Sequence, residues 1–163
     1  MMSPTQLIIT ALLIPILAVV LIVIFNKKPN LREGVSLLAS LALLGTVLSL
    51  LSVVLAGEQP SIDLLEIAPG LSITFDLEPP GMLFACVAAL LWPVNTLYSI
   101  GYMRGNNEQH QTRFYICFAI ALSSTMGIAM AGNLLTLFIC YEILTLSTYP
   151  LVTHKGNEEA RKA

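Results

Sequence analysis

The chain has 163 residues, 56% of them hydrophobic and 11% charged, with a mean hydropathy of +0.80. An ordinary soluble domain is about 45–50% apolar and about 25% charged, so these proportions exclude a soluble globule, and the apolar content also excludes disorder. Eight Lys plus Arg against ten Asp plus Glu leave no basic surface for a nucleic-acid partner. The apolar residues fall in long blocks suited to lipid, and the expectation is one membrane domain over residues 1–163.

A helix needs about 20 mostly apolar residues to cross the hydrocarbon, because in lipid each backbone N–H and C=O is satisfied within the segment itself. Five stretches qualify: about Leu7 to Phe25, Val35 to Ala56, Gly81 to Met103, Phe114 to Gly132, and Leu134 to Thr153. The opening MMSPTQ has no basic region and no small-residue cleavage site, so the first stretch is expected to remain as a span. Joined together, the fourth and fifth stretches would make a helix of about 39 residues, too long to cross once. Gly132 and Asn133 between them tolerate a left-handed turn, which predicts a tight helical hairpin.

Between the second and third stretches, Ile62, Leu64 and Ile67 lie in one apolar run and Leu71, Ile73, Phe75 and Leu77 alternate in another, with Pro69-Gly70 between them. Period-two runs around a Pro-Gly turn predict a β-hairpin, here on the outer face of the membrane; the alternative is a structureless loop. The expected fold class is therefore an all-α integral membrane protein with five spans and an external β-hairpin between the second and third.

Orientation follows from the basic residues, which are retained on the cytoplasmic side. Lys27, Lys28 and Arg32 lie in the first link, Arg104 and Arg113 in the third, and Lys155, Arg161 and Lys162 in the tail; the alternate side has none. This predicts a multi-pass protein of the cytoplasmic (inner) membrane, with the N-terminus outside and the C-terminus in the cytoplasm. The intervening segment is acidic, with Glu58, Asp63, Glu66, Asp76 and Glu78.

Cys86, Cys117 and Cys140 lie inside spans at spacings that fit no metal motif and read as small buried hydrophobes. Ser123, Gly127 and Ala131 recur every four residues, a pattern that permits close helix contact. Pro15, Pro93 and Pro150 fall within spans, where a proline is either tolerated or kinks the helix. His110 and His154 sit in charged segments, and no grouping of nucleophile, base or metal ligands is visible. No active site, metal or cofactor is expected in this chain.

Glu142 stands alone as a carboxylate at membrane depth. Placing a charge there costs about 2.5–3.5 kcal/mol on insertion scales, so something must offset it. Burial favours the neutral acid, and a nearby cation or water favours the carboxylate; a group poised between the two handles protons. At helical spacing Glu142 shares a face with Thr145 and Tyr149 on one side and Phe138 and Leu135 on the other. That stripe suits a hydrated path through Thr145 and Tyr149 from the cytoplasm, with an apolar plug beyond. The alternative is a permanently protonated acid hydrogen-bonded to a neighbouring helix.

From Phe75 onward the chain carries FDLEPPGM, LYSIGYM, RFY, MGIAMAGNLLTLF and YEILTLSTYPLV, in that order and on the spans derived above. In these motifs it resembles the proton-translocating, antiporter-like family: the large subunits of Mrp-type cation/proton antiporters and the related membrane subunits of respiratory complex I and of membrane-bound hydrogenases. The resemblance covers about Asp76 to His154 and is greatest to the Mrp-type subunit. It implies that Glu142 corresponds to the family's fifth-helix glutamate, which tunes a lysine in a later helix during proton transfer, and it supports the external hairpin. Family members have about fourteen helices, with the partner lysines beyond this point, so the chain is expected to hold the first third of a translocator, as a split subunit or a truncated product.

The expected function is thus a membrane subunit of a multi-subunit monovalent cation/proton antiporter or related proton pump, with Glu142 transferring protons. The expected partners are lipid, H⁺, Na⁺ or another monovalent cation, and other membrane subunits, including one that supplies the later helices and lysines. The complex-I likeness leaves open membership of a redox-driven, NADH dehydrogenase-like complex. The competing reading is a non-transporting assembly subunit of a respiratory or hydrogenase-type complex; a membrane enzyme is a more distant third.

Overall fold

The structure is a computed structural model that describes residues 3–106 and 108–152. His154, Lys155, Arg161 and Lys162 lie outside the described residues. The elements are α1 (Pro4–Ile24), α2 (Pro29–Leu55), β1 (Ser61–Ala68), β2 (Leu71–Asp76), α3 (Pro79–Gly105), α4 (Gln111–Ala129) and α5 (Leu134–Val152). All five helices are long and apolar enough to cross a membrane.

Three helices begin at a proline, whose fixed φ suits the first helical position and whose missing N–H is no loss there. Ser3 caps α1 reciprocally: its Oγ accepts from the Gln6 backbone N–H at 3.2 Å, and Gln6 Oε1 accepts from the Ser3 backbone N–H at 2.9 Å. Pro29 starts α2 six residues ahead of the apolar block, which makes the helix longer than hydropathy alone indicates.

Hydrogen bonds at both ends fix the helices as an up-and-down bundle. The C-terminus of α3 is bound to the N-terminus of α2 through Arg104 and Glu33, and the N-terminus of α4 is bound there through Arg32 and Thr112. The core lies among α1, α2, α3, α4 and β2, where Leu43, Val47, Leu50, Met82, Trp92 and Met126 are buried. Helix α4 touches both α1 and α5, and α5 is an edge helix, burying only Thr136 and Ser147 fully.

The strands pair antiparallel, from Ser61 opposite Asp76 to Ala68 opposite Leu71, around a Pro69-Gly70 turn with Gly70 at φ +80°. Two irregularities, between Asp63 and Leu65 and between Glu66 and Ala68, break the simple alternation in β1. Leu64, Leu65 and Ile67 consequently remain exposed, whereas β2 sends Phe75 into the core and Leu77 follows just beyond it.

The free edge of β2 is covered by the connection between α4 and α5. The Asp76 N–H donates to the Met130 carbonyl at 2.8 Å, the Gly132 N–H donates to the Thr74 carbonyl at 2.9 Å, and Phe75 bridges Ala131. The turn is therefore wider than two residues, spanning 130–133, and neither Gly132 nor Asn133 is left-handed. Gly132 serves close approach instead: a Cβ there would stand 3.0 Å from Thr74 Cγ2 and 3.2 Å from the Asp76 backbone N. Asn133 caps α5 by accepting from the Thr136 N–H at 2.8 Å, and its amide donates to the Ser72 carbonyl at 2.6 Å.

Candidate functional site

Glu142 lies near the middle of α5 and is exposed. The inward face of α5 carries Thr136, Cys140 and Ser147, with Cys140 against Gly127 of α4. At 100° per residue Glu142 is about 200° round the helix from Cys140, so its carboxylate points away from the bundle. Phe138, Thr145 and Tyr149 are exposed along the same outward stripe, and Leu135 is half-buried. Among the described residues the Glu142 carboxylate has no hydrogen bond or ion pair. Thr145 Oγ1 donates to the Glu142 backbone carbonyl at 2.8 Å, a bond within the helix that leaves the carboxylate untouched. Glu142, Thr145 and Tyr149 therefore share one face, and all three are exposed.

The small-residue repeat, of which Ser123 and Gly127 lie on α4 and Ala131 just past its end, meets three different neighbours. Gly127 lies against Cys140 of α5, Ser123 Oγ donates to the Leu12 carbonyl of α1 at 3.2 Å, and Ala131 bridges Phe75 of β2. Cys86, Cys117 and Cys140 are half-buried free thiols. Among the described residues no group of three or more His, Cys, Asp and Glu is placed to hold a metal ion.

A second polar centre binds three helix ends. Arg32 and Glu33 in the first turns of α2 are both buried. Arg32 donates from Nη1 to Thr112 Oγ1 at 2.8 Å and from Nη2 to Gln111 Oε1 at 2.7 Å, and its guanidinium lies 5.4 Å from the centre of the Tyr115 ring. Arg104 of α3 grips Glu33 with two nitrogens, Nε and Nη2, and Nη2 also reaches Asn30 Oδ1. Hydropathy places Arg32 in the first link because the apolar block begins at Val35. The proline at position 29 was the signal that the helix starts earlier and takes in Arg32.

The basic residues gather at one end. Lys27, Lys28, Arg32, Arg104 and Arg113 lie where α1 and α3 finish and α2 and α4 begin, whereas Glu58, Asp63, Glu66, Asp76 and Glu78 lie at the other end.

No family model matches the chain. In sequence it is similar to Na⁺/H⁺ antiporter subunit A1 of Staphylococcus haemolyticus, 27% identical over 115 residues covering 69% of this chain and 14% of that protein. It is also similar to NADH-quinone oxidoreductase subunit N of Brevibacillus brevis, 34% identical over 71 residues covering 40% of this chain and 14% of that protein. In fold it matches a chain in the structure of the membrane-bound sulfane sulfur reductase, an archaeal respiratory membrane complex, with a TM-score of 0.75 at 21% identity, over 91% of this chain and 23% of that one. The chain spans less than a fifth of the length of the curated relatives it matches. At low identity, these likenesses are to the antiporter-like family indicated by the sequence motifs.

Proposed function

From a chain that is similar to antiporter-like subunits in sequence and fold, we propose a membrane subunit of a multi-chain monovalent cation/proton antiporter or a related proton-translocating respiratory complex, in which Glu142 is a proton-pathway carboxylate. The observation that carries this reading is the position of Glu142: midway along a helix able to span the membrane, on the face opposite α4, without a partner among the described residues. A carboxylate turned outward at membrane depth needs a cation, a hydrogen-bond donor or water supplied from elsewhere. Further membrane helices seated on the outer face of α5 would provide it, and they would make Glu142 an internal group of the assembled complex. The small bundle is then a scaffold that holds one side of the proton path, with Thr145 and Tyr149 extending it towards the basic end. By the retention of basic residues this end is cytoplasmic, and the β-hairpin is external.

The test is transport by membrane vesicles that contain the assembled complex, with the pH gradient followed by a fluorescent amine on addition of Na⁺ or another monovalent cation. Glu142→Gln keeps the size and the hydrogen-bonding shape but not the titration, and is expected to reduce proton-coupled exchange at least tenfold with the chain retained in the membrane. Normal exchange by this variant would overturn the proposal in favour of an assembly subunit.

A further inference from the structure

A cleft between α3 and α4 has no part in the Glu142 reading. Its outer half, about 460 Å³, opens at the basic end beside Glu108 and the last residues of α5, Leu151 and Val152, and reaches Ser99 and Asn95. Its inner half, about 600 Å³, shares Asn95 and Tyr98 with the outer one and runs on to Trp92 and Thr125 between mostly apolar walls that include Leu91, Val94, Phe118 and Leu122. The two are continuous along α3, because Trp92, Asn95 and Ser99 follow one another at helical spacing.

Polar groups on this side of α3 lack partners. Among the described residues the Asn95 amide has no hydrogen bond, and the buried Trp92 Nε1 has none either. An unpaired polar atom away from water bears its whole desolvation penalty, and in native proteins such atoms are usually met by ordered water. The cleft is large enough, since one water takes about 30 Å³, and a bound water needs two to four polar partners. A lipid tail would fill the space but leave the Asn95 amide unsatisfied. Beyond Trp92 the space is closed by the core: Ala89, Ala85 and Met82 of α3 pack in the same cluster as Leu43, Val47 and Met126.

We propose that the cleft between α3 and α4 is a water-filled inlet, admitting water and the protons it carries from the basic end to mid-bundle depth and ending at Trp92. The inlet rests on the placement of α3 and α4 across a membrane and does not draw on any role for Glu142, which is not among the residues that line it.

The experiment measures water access along α3 in the full chain within its membrane assembly. Asn95→Cys and Ser99→Cys are treated with a charged methanethiosulfonate, which modifies only hydrated thiolates, and each site is read by mass spectrometry so that the native cysteines do not interfere. Leu97→Cys, on an exposed apolar position of the same helix, is the control. Expected is reaction at 95 and 99 at least tenfold faster than at 97. Equal rates at the three positions, or no reaction at 95, would overturn the inlet; the latter is the outcome if a lipid tail or a partner helix fills the cleft. If a variant fails to assemble, hydroxyl-radical labelling of the unaltered chain decides. Trp92 is then oxidised while the equally buried Met126 is spared, and equal protection of the two would overturn the proposal. Glu142→Gln transport does not enter either readout.

Discussion

Gly127 of α4 and Cys140 of α5 are in direct contact: a Cβ on residue 127 would stand 2.6 Å from Cys140 Sγ and 3.4 Å from its Cβ. The contact fixes how closely the edge helix sits on the bundle. Gly127→Leu is expected to force α5 outward and destabilise the fold by about 1–3 kcal/mol, the usual cost of overpacking. Gly127→Ala is expected to be milder, and Cys140→Ala in the same chain to recover most of its loss. Thermal unfolding of the single and double variants in detergent measures this coupling, which a purely local effect of residue 127 would not produce.

The β-hairpin depends on the connection between α4 and α5 for its position. Gly132→Val would place a branched side chain against Thr74 and the Asp76 backbone, and Asn133→Ala would remove both the cap of α5 and the bond to the Ser72 carbonyl. The expected result is faster amide exchange over Thr74–Asp76, whose edge bonds go to 130–132, with loss of the cap costing about 0.5–2 kcal/mol. Hydrogen–deuterium exchange resolved by peptide checks both, and unchanged protection of β2 would contradict the docking.

At the basic end, removing one member of an ion pair matters most where the remaining partner is buried. Glu33→Leu leaves buried Arg32 without its carboxylate and is expected to cost about 3–5 kcal/mol, the range for breaking a buried pair. Arg104→Met is expected to cost less, because half of the Arg104 side chain is exposed and Arg32 still lies 3.8 Å from Glu33. Unfolding midpoints in denaturant would rank the two, and the reverse order would mean that Arg104 rather than Arg32 carries the pairing.

Hydropathy over about 20 residues was enough to mark five helices, since each must satisfy its own backbone in lipid and so leaves a long apolar record in the sequence. The hairpin was legible from Pro69-Gly70 and the alternation of β2, where Phe75 turns inward. It was less so in β1, whose two irregularities cancel the period. The register of interhelical contacts was not legible: nothing in the sequence alone says that Gly132 meets Thr74 or that Ser123 turns to α1. Arg32 was misplaced because hydropathy weighs charge against burial, whereas here charged and polar groups on three helix ends satisfy one another. Glu142 was singled out by its isolation in an apolar run, and its outward direction came only from the packing of Cys140 and Ser147.

The outward face of α5 gives the last prediction. In a membrane, an apolar helix face can be covered by lipid at no cost, as for Leu83, Leu90 and Val94 of α3, but a face that includes Glu142 cannot. A photo-crosslinking residue placed at Phe138, Thr145 or Tyr149 in the assembled complex is therefore expected to capture protein, and one at Leu83 or Leu90 to capture lipid. The captured peptide, identified by mass spectrometry, is expected to come from an apolar helix bearing a lysine or another cationic or donor group at matching depth. Lipid capture at all three α5 positions would mean that Glu142 faces the bilayer and lies outside any proton path.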